Sequence, residues 1–265
     1  MKRQFIIGAV IFFCLSCQAE YHAYDTRVDE ECAVNHRMLP AIEQQCANRD
    51  EIRFAVLSDS QRWYDELNDA VDAINARDDV DFVIHCGDLT DWSLRDEFEW
   101  QQAILKRLDV PYVVLIGNHD CLTTGELVFE KLFGSTHFAF TAGWVRFVCV
   151  NSNALEYDDE EAVPDFGFMA EELACFPQEA DRTVVVMHAA PQSEQLFGWK
   201  ADQMHQMACQ FPNLLFCLHG HGHHYRMRDL YEDGVLYYQA PCVDKRNFLH
   251  FTIHTHGYEQ KQIFY

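Results

Sequence analysis

Basic residues are scarce in this chain of 265 residues. Lys and Arg together number 20, whereas Asp and Glu number 42, so the formal net charge at pH 7 is −22. A chain this acidic binds polyanions poorly unless metal ions supply local positive charge. No internal repeat or low-complexity tract is visible either. We therefore expect no binding of bulk nucleic acid.

Outside the N-terminal leader, the cysteines do not form CxxC pairs. Eleven are present, and two of them fall in the N-terminal leader, which leaves an odd set of nine. Export permits disulfides, and Cys32 with Cys46 is the most plausible pair, although a sequence alone does not determine pairing. Cys149 and Cys217 lie in apolar, strand-like runs, so we interpret them as small buried hydrophobic residues.

Long apolar runs are missing as well. Lys2 and Arg3 precede FIIGAVIFFCLS, which is too short for an ordinary membrane span. This pattern predicts a signal peptide over residues 1–16. The letters CLSC resemble a loose bacterial lipobox, with Cys17 as the lipidated first residue of the mature chain. Residues 17–50 are then predicted to be a lipidated tether and lead-in, followed by one domain over residues 51–265.

The leader predicts an exported protein. With lipid on Cys17 it would be a periplasmic, outer-membrane or cell-surface lipoprotein, and the lipid would be its only membrane contact. An ordinary signal peptide cleaved nearby is the alternative, and it predicts a soluble secreted protein. The sequence does not indicate an oligomeric state.

The remaining pattern is typical of an α/β fold. Short runs rich in Val, Ile, Phe and Leu, such as IRFAVLSD, VDFVIHCGD and PYVVLIGNHD, predict buried strands. Helical stripes, such as WYDELNDAVDAINAR, lie between the first three. Strand–helix–strand order predicts parallel strands with helical crossovers. After residue 210 short turns predict an antiparallel meander, and the whole predicts a layered α/β sandwich.

Polar side chains end six consecutive predicted strands. In α/β folds ligands lie outside the carboxyl ends of strands, so we expect these groups to share one edge. In chain order they are Asp59 and Gln61, Asp88, Asn118 and His119, Asn151, His188, and then His219, His221 and His223.

Five of these blocks together resemble the calcineurin-like metallophosphoesterase family, whose pattern is D-x-H, G-D-x-x-D, G-N-H-D/E, a single His, and G-H-x-H. This chain has DSQ at 59–61, GDLTD at 87–91, GNHD at 117–120, His188, and GHGH at 220–223. Four blocks match, and the first departs at Gln61. The resemblance covers roughly residues 52–255 and implies an α/β/β/α sandwich of mixed sheets.

The resemblance also implies two metal ions bridged by Asp88, whose two carboxylate oxygens reach ions about 3.5–4 Å apart. One ion would be held by Asp59, Gln61, Asp88 and His223, and the other by Asp88, Asn118, His188 and His221. Mixed nitrogen and oxygen donors suit Mn, Fe or Zn better than Ca. His221 and His223 are expected on one side of an extended segment, with Gly222 letting the backbone approach the ions.

The activity implied is phosphoester hydrolysis. A metal-activated hydroxide would attack phosphorus, while His119, held by the carboxylate of Asp91, would protonate the leaving group. A D-x-Q first block also occurs in manganese-dependent hydrolases of ADP-ribose and CDP-alcohols, which favours phosphodiesters or nucleotide pyrophosphates over monoesters as the small substrate. A surface lipoprotein that binds metal or ligand without turnover is the alternative, and a metal-dependent amidase is a weaker one.

Other residues are candidates for lining the substrate cleft. They are Arg62, Tyr64, Asn151 and His224, and each has an ordinary structural explanation as well.

Gln61 is a separate question, because its carbonyl oxygen has the reach to replace the usual His and is a harder donor. That replacement favours Mn over Zn. Alternatively, Gln61 turns away from the metal.

Overall fold

A computed structural model describes residues 22–28, 32–157 and 162–265 of the chain. The predicted signal peptide and Cys17 lie outside these described residues, so their assignment stays a prediction. Within the described ranges, no helix has the length and apolar character needed to cross a membrane.

Six helices and eleven strands form the described part of the chain. The helices are α1 (Val34–Cys46), α2 (Tyr64–Asn75), α3 (Arg95–Leu105), α4 (Gly125–Leu132), α5 (Phe166–Ala174) and α6 (Gly198–Ala208). The strands are β1 (Ile52–Leu57), β2 (Phe82–His85), β3 (Tyr112–Val114), β4 (Phe138–Ala142), β5 (Val145–Val150), β6 (Arg182–Met187), β7 (Leu214–His219), β8 (Arg226–Asp229), β9 (Leu236–Gln239), β10 (Asn247–His254) and β11 (Gly257–Phe264).

The strands form two mixed sheets. One has the order β11-β10-β1-β2-β3, and the other has the order β4-β5-β6-β7-β9-β8. Strands β1, β2 and β3 are parallel, and so are β5, β6, β7 and β9. Helices α2, α3, α5 and α6 make the crossovers between consecutive parallel strands, as the strand–helix alternation predicts.

Three clusters of buried apolar side chains hold together four layers, which are the two sheets and the helices outside each of them. Phenylalanines of both sheets fill the space between them: Phe54 stacks on Phe82 at 5.2 Å and meets Phe147 of the facing sheet edge-on at 5.3 Å. The outer face of the first sheet packs against α2, α3 and α4, and that of the second against α5 and α6. Because both faces of the central strands are buried, these strands are near-continuous apolar runs. The predicted α/β/β/α sandwich is confirmed.

The predicted antiparallel meander after residue 210 is wrong in part. Strand β9 pairs parallel with β7, and only β8 pairs antiparallel with β9. The next strand, β10, crosses to the other sheet and pairs antiparallel with β1 and with β11. Short turns predict that strands follow one another, but they do not determine which strand each one pairs with.

Helix α1, within the lead-in predicted for residues 17–50, packs against the domain, so the predicted boundary at residue 51 falls too late. Helix α1 buries Ile42 and Cys46 completely. The side chain of Asn35 donates to the carbonyl of Val114 at 2.8 Å and accepts from its N–H at 2.9 Å. Strand β3 is the last strand of its sheet, so one of its edges has no neighbouring strand. The Asn35 amide therefore supplies the hydrogen bonds that the backbone of Val114 would otherwise lack at this edge.

The predicted Cys32–Cys46 disulfide is not formed, since the thiol of Cys46 is free. The 13-residue helix α1 lies between the two cysteines. At 1.5 Å per residue a helix of this length spans about 20 Å, whereas a disulfide requires Cα atoms within about 7 Å.

Candidate active site

The carboxyl ends of the parallel strands bring the predicted metal ligands together at one edge. Two groups of potential ligand atoms lie there, and within each group all atoms are within 4.8 Å of one another. Asp88, from the loop after β2, belongs to both groups. The other members are Asp59 and His223 in the first group and His188 and His221 in the second.

The first group is built on buried carboxylates. Asp59 and Asp88 are at most 1% exposed, and Nε2 of His223 lies 3.5 Å from Oδ1 of Asp59. The Asp59 carboxylate also accepts the backbone N–H of His221, at 3.1 Å to Oδ2. The loops after β1 and β7 are therefore joined at the first candidate ligand.

Gln61 carries a buried oxygen that has no hydrogen-bond partner. Its side chain is 4% exposed, and Oε1 is unpaired in the structure. Burying an unpaired amide oxygen costs free energy, about 1–3 kcal/mol by mutational measurements. A cation beside the first group would satisfy this oxygen, so the residues present fit a metal ion with an oxygen ligand from Gln61.

The second group converges on the side chain of Asn118. Its Oδ1 lies 3.1 Å from Nε2 of His188 and 3.0 Å from Nδ1 of His221. Nε2 of His188 is also 3.4 Å from Oδ1 of Asp88. All four predicted ligands of this group thus lie around one point.

Hydrogen bonds orient both histidine rings of the second group. Nδ1 of His188 is 2.7 Å from the carbonyl oxygen of Cys86, and Nε2 of His221 is 2.6 Å from Oε1 of Glu194. Such partners fix which ring nitrogen faces a metal, here Nε2 of His188 and Nδ1 of His221. Nothing in the sequence marks Glu194, because it lies in a loop and meets His221 only through tertiary structure.

Four predicted ligands adopt the left-handed backbone conformation. The φ angles are 53° for Asp59, 59° for Asp88, 70° for His221 and 59° for His223. Such residues are uncommon outside glycine and concentrate at functional sites. The prediction of an extended segment from 221 to 223 is therefore wrong. Tight turns, with bonds from Gly222 N–H to Gly220 and from His224 N–H to Gly222, send the two histidines to different groups.

Gly222 is required for a reason other than approach to the ions. A Cβ at this position would lie 2.3 Å from Nε2 of Gln239, so the missing side chain makes room for that amide. Close approach of the backbone to the metal ligands, the role predicted for Gly222, is instead seen at Gly117. A Cβ there would lie 2.2 Å from Oδ1 of Asp88. A side chain at 117 would displace the shared carboxylate.

A buried polar chain holds the DSQ loop in place. The backbone N–H of Gly87 donates to Nδ1 of His85, so Nε2–H of the neutral ring donates to Oγ of Ser60 at 2.9 Å. Ser60 Oγ then donates to Oε1 of Gln101 at 2.9 Å, and Nε2 of Gln101 donates to the carbonyl of Ser60 at 2.8 Å. Helix α3 therefore positions the loop that carries Asp59 and Gln61.

Asp120 joins the loops after β2 and β3. Its carboxylate accepts backbone N–H groups of Leu89 at 3.0 Å, Thr90 at 2.9 Å and Gly117 at 3.0 Å. It also accepts the hydroxyl of Thr90 at 2.9 Å. The last residue of the GNHD block is therefore a brace for the loops that carry Asp88 and Asn118.

His119 is held by a backbone group and not by the predicted carboxylate. Its Nδ1 lies 3.0 Å from the carbonyl oxygen of Asp91. The carboxylate of Asp91 instead accepts from the guanidinium of Arg62, at 3.0 Å from Nε to each oxygen. The prediction that this carboxylate partners His119 is wrong, because the nearby Arg62 cation binds it. Arg62 thereby acts as a link between the first and second ligand loops.

The other candidate cleft residues make ordinary structural contacts. Tyr64 begins α2 and meets Trp100 edge-on at 5.7 Å. Asn151 donates to Tyr157 at 3.0 Å and accepts from Asn153. His224 is exposed at the rim. None of these contacts places the side chain in either ligand group.

The buried charges of the site require positive charge beside them. Burial raises the pKa of Asp59 to about 7, and the neighbouring Asp88 carboxylate adds to that rise. Burial alone would lower the pKa of His188, but Asp88 and Asp59 raise it to about 9. A protonated His188 supplies the charge that a divalent cation would supply in its place.

A cavity of about 340 Å³ adjoins the second group. Its lining includes His221 and two arginines of β8, Arg226 and Arg228. These arginines are two residues apart on one strand, so they share a face. Among residues 22–28, 32–157 and 162–265, no carboxylate forms an ion pair with either arginine.

Comparison with known proteins supports one family. The family model described as calcineurin-like phosphoesterase matches residues 52–225, which is more than half of the chain. The bovine (Bos taurus) serine/threonine-protein phosphatase CPPED1 is 31% identical over 112 residues. That match covers 36% of this chain and 35% of the bovine protein, so the two align over about a third of the relative's length.

Solved structures share the fold. A dimetal phosphatase from Danio rerio superposes with a TM-score of 0.63 at 15% identity, over 81% of this chain and 99% of that chain. GAP50, the anchor in the inner membrane complex of Plasmodium, superposes with a TM-score of 0.62 at 11% identity, over 81% of this chain and 85% of that one. At these identities the likeness shows the fold alone.

Proposed function

This chain belongs to the calcineurin-like phosphoesterase family, and we propose that it is a metal-dependent phosphoesterase that hydrolyses phosphodiesters or nucleotide pyrophosphates with two divalent ions. The observation that carries the two-ion proposal is the pair of ligand groups that share the buried Asp88. The orphaned oxygen of Gln61 adds one further oxygen donor to the first group.

The first ion would be held by Asp59, Gln61, Asp88 and His223, and the second by Asp88, Asn118, His188 and His221. Bound there, divalent ions activate water as a nucleophile and neutralise charge on a phosphoryl group. Mn is the expected metal because four of the seven ligands offer hard oxygen and three offer nitrogen, and Fe and Zn are the alternatives.

His119 is positioned to act as the general acid. The Asp91 carbonyl accepts from its Nδ1–H, so Nε2 is the nitrogen left to carry a proton to a leaving oxygen. Its backbone N–H also donates to Oδ1 of Asp88 at 2.9 Å, which ties it to the candidate bridging carboxylate.

The arginine-lined cavity supports a substrate with a second negative charge. A guanidinium recognises phosphate through charge-assisted hydrogen bonds. Arg226 and Arg228 line the same cavity as His221, so they would bind the phosphate next to the one that is attacked. A nucleotide pyrophosphate carries such a group, whereas a phosphomonoester of a simple alcohol does not.

Substrate comparison tests this proposal. With Mn, we expect the purified chain to hydrolyse bis-p-nitrophenyl phosphate and ADP-ribose faster than p-nitrophenyl phosphate. Arg228→Ala should raise KM for ADP-ribose about tenfold or more, because a hydrogen bond to a charged group contributes about 1.5–3 kcal/mol. The same variant should hydrolyse bis-p-nitrophenyl phosphate at the wild-type rate. The matched control is Arg182→Ala. Arg182 begins strand β6, at the end of that strand away from His188.

Other outcomes of this comparison would overturn parts of the proposal. Preference for p-nitrophenyl phosphate or a phosphoserine peptide, with no effect of Arg228→Ala, would indicate a monoesterase, as the name of the bovine relative suggests for that protein. Metal binding without turnover of any ester would indicate a binding protein.

Gln61 gives a second test, of metal preference. We expect wild-type activity to be highest with Mn, and Gln61→His to gain activity with Zn relative to Mn, because imidazole nitrogen is a softer donor than amide oxygen. Gln61→Ala should weaken binding of one Mn ion about 10–100-fold or more, the loss seen when even an outer-shell partner is removed.

Calorimetric titration of the metal-depleted chain measures this binding independently of turnover. Gln206→Ala, an exposed glutamine of α6, is the control. If Gln61→Ala and Gln206→Ala titrate alike with Mn, Zn and Mg, then Gln61 is not a ligand.

A further inference from the structure

A separate cluster of metal-type side chains lies where the end of α6 meets the turn between β8 and β9. His205 is in the last turn of α6, Cys209 follows that helix directly, and Asp233 is in the turn. We propose that these three residues bind a zinc ion that fastens α6 to the β8–β9 turn. None of them is a candidate ligand of the active site, so this proposal does not rest on the proposed function.

The distances within the cluster match the edges of a zinc coordination tetrahedron. Nε2 of His205 is 2.9 Å from Oδ2 of Asp233 and 3.5 Å from Sγ of Cys209, and Sγ is 3.8 Å from Oδ2. Zinc bonds of about 2.0–2.3 Å at tetrahedral angles place ligand atoms about 3.3–3.6 Å apart. An ion would thus require only small side-chain shifts.

The same geometry excludes a nucleophilic triad. In a Cys–His–Asp triad the base contacts the nucleophile through one ring nitrogen and the orienting carboxylate through the other. Here the shortest contacts of His205 with both Cys209 and Asp233 are made by Nε2. Sulfur and oxygen therefore converge on one ring nitrogen, as ligands of a common ion do.

The histidine ring is held in the orientation that a ligand needs. His205 is 6% exposed and stacks on Tyr231, with ring centroids 3.8 Å apart and planes 9° from parallel. Nδ1 lies 3.0 Å from Oη of Tyr237. Donation from Nδ1–H to this hydroxyl leaves the Nε2 lone pair for a metal, which is how metal-bound histidines are usually fixed.

The carboxylate and the thiol are also suitably placed. Oδ1 of Asp233 accepts the backbone N–H of Val235 at 3.1 Å, which turns Oδ2 toward His205. Asp229 braces the turn by accepting the N–H of Asp233 at 3.1 Å. Cys209 and Asp233 are exposed, so an ion and a fourth, water ligand have access.

Zinc is the cation that these donors favour. One thiolate, one imidazole and one carboxylate with an open fourth position suit Zn²⁺ and exclude Mg²⁺ and Ca²⁺, which prefer oxygen ligands. Binding requires the Cys209 thiol to release its proton to solvent as the sulfur–metal bond forms.

Cobalt titration of the full-length, chelator-treated chain tests the proposal. We expect a thiolate-to-cobalt charge-transfer absorption in the wild type, with one thiolate-bound ion per chain. Cys209→Ser should lose the absorption and bind one ion fewer, while Cys175→Ser, which removes another exposed cysteine, should behave like wild type. Tyr237→Phe should keep the absorption but weaken zinc binding to this site about 10–100-fold.

The active-site ligands include no cysteine, so the absorption does not arise from the active site, and its loss in Cys209→Ser assigns it to this cluster. If wild type shows no thiolate absorption, or if Cys209→Ser and Cys175→Ser bind equal numbers of ions with equal affinity, the zinc site does not exist. Neither result would bear on phosphoester hydrolysis, which is measured separately with Mn.

Discussion

Asp88→Asn is expected to abolish turnover and to reduce metal binding in both groups together. The asparagine keeps the size of the side chain and one oxygen, but its amide nitrogen does not bind a second ion. Asp88 is the only member common to the two ligand groups of the described chain. A metal ion contributes several kcal/mol of transition-state stabilisation, so kcat/KM should fall about 10³-fold or more.

Metal analysis and circular dichroism separate this result from misfolding. The variant should keep the wild-type spectrum but bind both active-site ions more weakly. Asp65→Asn removes one negative charge from an exposed position at the start of α2 and should leave metal content and rate unchanged. Loss of a single ion from Asp88→Asn, with the other bound as in wild type, would show that Asp88 does not bridge.

His119→Ala should lower kcat about 10²-fold or more while both ions remain bound. General acid catalysis contributes about 10²–10⁴-fold, and His119 lies beside Asp88 without belonging to either ligand group. Because Nδ1 is fixed by the Asp91 carbonyl, removing the ring removes the proton donor and leaves the ligands in place.

The leaving group distinguishes acid catalysis from a structural effect. The loss in His119→Ala should be large for a dialkyl phosphodiester, whose alkoxide leaving group is strongly basic, and much smaller for bis-p-nitrophenyl phosphate, whose p-nitrophenolate leaves without a proton. His224→Ala, an exposed histidine at the rim, is the control. Equal losses with both substrates, or loss of metal along with activity, would show that His119 is not the acid.

The Arg62–Asp91 pair shows why a residue's role is harder to predict than its location. The GDLTD block correctly places Asp91 near His119, but the carboxylate binds Arg62 and only the backbone carbonyl reaches the imidazole. Both arrangements are compatible with the same motif. The choice depends on the left-handed turn at Arg62 that brings its guanidinium across to the second loop.

By itself, the sequence determined the sandwich and the set of residues at its active edge. Buried parallel strands are continuous apolar runs, and polar groups directly after them must meet at one edge, so Asp59, Asp88, Asn118 and His188 are predictable from order along the chain. The family blocks identify the same residues. The signal peptide and lipidated Cys17 lie outside the described residues and remain predictions.

Only the tertiary structure determined how the edge is supported and what lies beside it. Glu194 orients His221, Gln101 holds the DSQ loop, and Asn35 of α1 closes the edge of β3. The β8 arginines likewise lie on a strand with no apolar pattern, and the His205–Cys209–Asp233 cluster joins the end of α6 to the β8–β9 turn. Each of these arrangements joins segments distant in sequence through a few polar contacts. Periodicity and motif spacing report local backbone geometry and burial, whereas such contacts depend on which surfaces the folded layers bring within hydrogen-bond distance.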